Sequence, residues 1–129
     1  MATLRLADGT EVVGKLGSWC YGSSCADGPA FPLNLLPKVT LAQAGAQLEI
    51  VMPEGARFTY WHARYTDSIV DPGHLVELGS GGDPEEPTVE FETASFAGPP
   101  AGSWGLMLTL RFADPYGDAF YSWHAVVAH

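Results

Sequence analysis

Positive charge is scarce in this chain. Six Lys and Arg stand against fifteen Asp and Glu, a formal charge of −9 over 129 residues. Along the sequence no Lys/Arg cluster offsets that balance, so nucleic acid and anionic membranes are excluded as partners, because both present dense negative charge. Long apolar runs are also missing. No stretch approaches the length a membrane-spanning helix needs, and the opening MATLRLADG is not a secretory signal peptide. Sustained 3.6-residue periodicity is absent too, which argues against a helical domain. Cysteine is limited to Cys20 and Cys25. With no second cysteine pair and no C-x-x-C spacing, neither a cysteine-rich zinc site nor a thioredoxin-like redox motif is available.

What is present is alternation. Apolar residues make up 47% of the chain and charged residues 16%, enough apolar material for one core in a single domain spanning 1–129. Fifteen glycines and ten prolines cut the chain into short segments. TLRLADGTEVV places Leu4 and Leu6 on one face ahead of an Asp8-Gly9 hairpin turn. KVTLA and AQLEIVM alternate next, through Val39 and Leu41 and through Leu48, Ile50 and Met52, with PEGA as a turn. RFTYWHARY sets Phe58, Tyr60 and His62 against Thr59, Trp61, Ala63 and Tyr65. TVEFETASF alternates through Val89, Phe91 and Thr93. SWGLMLTLRF aligns Trp104, Leu106, Leu108, Leu110 and Phe112, and after the turn ADPYGD, AFYSWHAVVAH aligns Tyr121, Trp123, Ala125 and Val127.

FPLNLLPKV holds at most one helical turn between Pro32 and Pro37. HLVEL is a candidate short strand, and the acidic Gly/Pro stretch at about 79–87 reads as a loop. Seven to eight short strands separated by turn signals predict an all-β, immunoglobulin-like antiparallel β-sandwich.

The segments GSWC (Gly17–Cys20), C-A-D (Cys25–Asp27) and the terminal GSWGLMLTLRFADPYGDAFYSWHAVV carry a resemblance. Through Gly17, Ser18, Trp19, Cys20, Cys25 and Asp27, then Gly102, Trp104, Gly117, Tyr121 and Trp123, the chain resembles uncharacterised bacterial secreted or lipoprotein domains of immunoglobulin-like character. Their pattern often has Trp after the first cysteine, where this chain has Tyr21. The resemblance implies export, to the extracellular space or the cell envelope, with the signal or lipoprotein segment lying outside this sequence. It implies no activity.

In an exported domain an even cysteine count implies a bridge, and Cys20–Cys25 closes a small ring around Tyr-Gly-Ser-Ser. His62 and His124 lie on strands able to neighbour each other. With the thioether sulfurs of Met52 and Met107 they form a candidate copper or zinc set, although none of the usual metal-ligand spacings is present. Asp67, Asp71, Asp83, Glu85 and Glu86 crowd the middle loops without the D-x-D-x-D-G spacing of a calcium loop, so they read as a solvated, charge-repelling surface. No nucleophile elbow or Gly-rich phosphate loop occurs.

Aromatic residues are the remaining signal. Both faces of FTYWHARY are aromatic, so one face is exposed or covered by a loop. Trp61, Trp104 and Trp123 are expected in the inter-sheet core, while Tyr60, His62 and Arg64 share the opposite face as a polar-aromatic strip suited to a sugar ring or a protein partner. The expected function is therefore a non-catalytic exported interaction module with no cofactor, recognising a protein or envelope component. A carbohydrate-binding module and a His/Met copper or zinc protein are the alternatives.

Overall fold

The computed structural model describes residues 1–28, 30–54, 56–69, 73–86, 88–113 and 116–129. The first hairpin follows from the Asp8-Gly9 turn. Gly9 takes φ +89°, a conformation open to glycine, and the Asp8 carboxylate accepts the Thr10 N–H at 2.9 Å. That turn joins β1 (Thr3–Leu6) to β2 (Glu11–Val13). After them come β3 (Lys15–Tyr21) and β4 (Ser24–Ala26), joined through Gly22 at φ +60°. A 3₁₀ turn at Leu33–Leu35, bracketed by Pro32 and Pro37, precedes β5 (Lys38–Leu41) and β6 (Gln47–Val51). The chain continues through β7 (Tyr60–Thr66), β8 (Val76–Gly82), β9 (Thr93–Ala97), β10 (Gly102–Ala113) and β11 (Tyr116–Val127).

These strands form an immunoglobulin-like β-sandwich. The smaller sheet has the order β2-β1-β6-β9 and the larger β4-β3-β11-β10-β7-β8. β5 lies parallel to the second half of β11, on the edge whose first half pairs with β3. All other strand pairs among the described residues are antiparallel.

Alternation decides which side chains enter the core. Leu4, Leu48, Ile50 and Phe96 face inward from the smaller sheet. Trp61, Ala63, Leu106, Leu108, Leu110, Phe112, Ala119, Tyr121, Trp123 and Ala125 face inward from the larger, and all are buried. Each large apolar side chain so buried contributes about 1.5–3 kcal/mol. Trp123 is fully buried, and its indole N–H donates to the Val12 carbonyl at 2.9 Å, tying the larger sheet to β2.

Four expectations need correction. The described strands number eleven rather than seven or eight, because short edge strands such as β2 and β4 carry too few residues to show a pattern. The stretch expected to be a loop from about residue 79 is strand as far as Gly82. Gly79 and Gly81 pack against the Trp61 indole where a Cβ would collide, so β8 reaches β7 only because it lacks side chains there. Trp104 lies at the rim rather than in the core centre, half-buried against Tyr65 with ring centroids 5.0 Å apart, its N–H donating to the Pro100 carbonyl at 2.8 Å. The alternation read from Val89 begins as strand only at Thr93, with Phe91 held to Phe58 by an isolated bridge. Gly55 of PEGA, Asp114 and Pro115 of ADPYGD, Asp71 and Pro87 lie outside the described residues.

Candidate functional site

The outer face of the larger sheet carries the polar-aromatic strip. Residues directly opposite each other across an antiparallel pair share a face, so the pairing register lays the strip out in rows. One row runs Tyr60, Arg111, Asp118. The next runs Ser80, His62, Thr109, Phe120, and the third runs Glu77, Arg64, Met107, Ser122, Lys15. Tyr60, His62 and Arg64 do share one face, opposite the buried Trp61, and all three are half-buried.

Local contacts orient these groups. Arg111 Nη1 donates to the Tyr116 hydroxyl at 2.6 Å. His62 Nε2 lies 3.5 Å from Glu77 Oε1, an ion pair only when the ring is protonated, and the His62 ring leans toward Tyr60 at a centroid distance of 6.4 Å. Phe120 and Tyr116 are 40% and 57% exposed, so both present ring surface to solvent. Arg64 Nε is buried with no hydrogen-bond partner among the described residues. A ridge closes the strip on one side. Ile69 and Leu33 lie over Gly105, leaving no room for a side chain there.

Phe120, Tyr116 and Arg111 are absent from the expected set. The signal for Phe120 was present in the sequence, because AFYSWHAVV puts it on the face opposite Tyr121 and Trp123. Arg111 is brought beside Tyr60 only by the β7–β10 register.

The histidine–methionine metal set does not assemble. His62 pairs with Thr109 and His124 with Gly105. Four residues along β10 and two strand spacings therefore separate them, roughly 16 Å. Met107 lies between Arg64 and Ser122 on the outer face, whereas Met52 lines the end of the sandwich. Among the described residues no three His, Cys, Asp or Glu side chains come together to hold a metal ion.

His124 instead meets a hydroxyl, with Ser103 Oγ 2.6 Å from its Nε2. Burial, and after it the Lys38 charge, holds this imidazole below its ordinary pKa. Among the described residues no carboxylate contacts the ring, so the pair lacks the third member of a hydrolytic triad. Of the acidic loop residues, Asp83 accepts the N–H groups of Glu85 (2.8 Å) and Glu86 (3.2 Å), which lowers its carboxyl pKa.

Cys20 and Cys25 form a disulfide across the β3–β4 hairpin. Beside that hairpin, the inner face of β3 extends past the smaller sheet. A cavity of about 230 Å³ opens there, lined by Leu16, Trp19, Tyr21, Met52, Phe112 and Tyr121. An adjoining cleft of about 430 Å³ holds the Arg57–Glu92 ion pair at 2.7 Å.

No family model and no curated protein matches the chain. Solved structures share its fold. The catalytic domain of a lytic polysaccharide monooxygenase from Listeria monocytogenes superposes with a TM-score of 0.52 at 13% identity, covering 73% of this chain and 61% of that one. CBM33 of Bacillus amyloliquefaciens, solved with Cu(I) after photoreduction, gives a TM-score of 0.56 at 12% identity, covering 81% and 64%. A lytic polysaccharide monooxygenase important for chitin utilisation in Cellvibrio japonicus gives 0.50 at 10% identity, covering 70% and 54%. The chain thus spans less than two thirds of the length of each.

The class defined by this likeness is the sandwich fold used by those monooxygenases, and at such identities the likeness carries the fold alone. It corrects the expectation of a non-catalytic interaction module, because the Listeria neighbour is a catalytic domain and the Cellvibrio one a monooxygenase. One neighbour was solved with Cu(I), whereas among the described residues here no three His, Cys, Asp or Glu side chains come together.

Proposed function

We propose that this chain engages polysaccharide through the outer face of its larger sheet. The observation that carries the reading is the strip itself: Tyr60, His62 and the exposed Phe120 on adjoining rows, with Ser80, Thr109, Arg64 and Arg111 around them. A sugar ring has apolar C–H faces that pack on aromatic rings and a rim of hydroxyls that both donate and accept. A sheet face mixing rings with hydroxyl and guanidinium groups suits both needs. The fold likeness to proteins named for polysaccharide oxidation supports the same substrate class. The Cys20–Cys25 bridge supports an oxidising, extracellular setting. The finer assignment to a lipid-anchored envelope protein rests on the GSWC…CAD resemblance.

The test is depletion from solution by insoluble chitin and cellulose, and mobility retardation in gels containing soluble polysaccharides. Wild type is expected to bind at least one of them, and Phe120→Ala with Tyr60→Ala to weaken binding about tenfold or more, the loss of anchor contacts at an interface centre. Wild type that ignores every polysaccharide, or a double variant that binds as wild type does, would overturn the reading.

A further inference from the structure

The distribution of positive charge in the fold differs from its distribution along the sequence. The chain has six Lys and Arg. Two of them are neutralised away from the strip. Arg5 pairs with Glu11 at 3.2 Å and Glu49 at 3.0 Å on the smaller sheet, and Arg57 pairs with Glu92. The other four, Lys15, Lys38, Arg64 and Arg111, all project from the outer face of the larger sheet, as their partners Ser122, His124, Met107 and Asp118 show. None of the four forms an ion pair among the described residues.

The titratable groups around them are few. Glu77 opposes Arg64 across the strand pair and approaches His62, and Asp118 opposes Arg111. Lys15 Nζ lies 4.9 Å over the Phe31 ring, and the Arg111 guanidinium donates to the Tyr116 hydroxyl. Arg64 is half-buried and keeps a buried Nε with no hydrogen-bond partner among the described residues. Beyond Gly82, Asp83, Glu85 and Glu86 add negative charge next to the Tyr60 end of the strip. The face therefore carries carboxylates at that end and, along the row Glu77, Arg64, Met107, Ser122, Lys15, two cations with one carboxylate at the β8 edge. With salt screening over about 8 Å, this local pattern, and not the net charge of the whole chain, is what a bound polymer meets.

We infer that the polysaccharide engaged by this face is an anionic one, bearing carboxylate groups that align with Arg64, Lys15 and Lys38 while its rings pack near His62 and Phe120. The inference rests on the polysaccharide reading above and narrows it.

The experiment compares binding of the intact protein to polygalacturonate, to neutral hydroxyethylcellulose and to a single-stranded DNA oligonucleotide at low and moderate salt. Polygalacturonate is expected to bind most tightly and to weaken as salt rises. Lys15→Gln and Arg64→Gln are each expected to bind it about one-and-a-half- to fivefold more weakly, as removal of one partly solvated charge contact implies. Arg57→Gln, whose cation is already paired outside the strip, is expected to bind as wild type does. Lys15 is exposed, so its variant keeps the test valid even if Arg64→Gln folds poorly. Equal binding of neutral and anionic polymers, lost in Phe120→Ala, would overturn the inference and leave the polysaccharide reading standing. Binding of neither polymer would overturn both. DNA binding as tight as polygalacturonate binding would also overturn the inference, in favour of a general polyanion surface.

Discussion

Gly14 and Trp123 make the sharpest test of how the two sheets are joined. A Cβ on Gly14 would sit 2.6 Å from Trp123 Cζ2, 2.9 Å from Cη2 and 3.0 Å from Cε2. Trp123 is fully buried with its N–H bonded to Val12, so the ring cannot swing away. Gly14→Ala should therefore cost about 1–3 kcal/mol in overpacking. Loss of glycine's freedom in the unfolded chain offsets about 0.4–1 kcal/mol of that. Trp123→Phe alone should cost about 2–4 kcal/mol, from the lost hydrogen bond to Val12 and the vacated volume. Phe lacks the benzo edge that the new methyl meets, so in the Trp123→Phe background Gly14→Ala should become neutral or slightly stabilising. The predicted coupling between the two sites is about 1–3 kcal/mol. Urea denaturation of the four proteins at pH 7, with unchanged m-values, measures it. Effects that add to within about 0.5 kcal/mol would refute the reasoning, because sites out of contact behave that way.

Three further outcomes follow from the same structure. Reducing the Cys20–Cys25 bridge, which spans a sequence separation of 5, should cost about 2 kcal/mol, read as a shift in the urea midpoint, and the unreduced chain should weigh one hydrogen pair less than the reduced one. Because the folded pKa of His124 lies below its unfolded value of about 6.5, the unfolded chain binds more protons between the two; the histidine's contribution is present above the unfolded value and is lost as pH falls through the folded one. The stability of wild type relative to His124→Gln should accordingly grow as pH rises from 5 to 7.5, and a constant or shrinking difference would contradict the assignment. Copper added and then removed by desalting should leave no stoichiometric metal in a native mass spectrum, since among the described residues no three His, Cys, Asp or Glu side chains come together; retained copper would show that a site exists.

Much of the face geometry is legible in the sequence, for a physical reason. Side chains in a strand alternate strictly, so once Trp61 is assigned inward, Tyr60, His62 and Arg64 must point outward, and Tyr121 inward puts Phe120 outward. Register is a different matter. Lys15 and Arg64 share a row because β3, β11, β10 and β7 are laid side by side with a particular stagger, a long-range property that short segments do not encode. The placing of four cations on one sheet face was therefore hidden in a sequence that disperses them. The parallel docking of β5 on β11 was equally hidden, since KVTLA alternates the same way in either direction. The glycines of β8 misled for a local reason: GSGG looks like a flexible loop until the Trp61 ring that needs their missing side chains is in place.

The most direct measurement is a backbone amide NMR titration of the ¹⁵N-labelled protein with oligogalacturonate. Shifts gathered at His62, Arg64, Met107, Thr109, Phe120 and Ser122 are predicted, because these residues occupy the strip. Shifts gathered instead at Trp19, Tyr21, Met52 and Phe112 would place the ligand in the cavity at the end of the sandwich and contradict the assignment of function to the outer face.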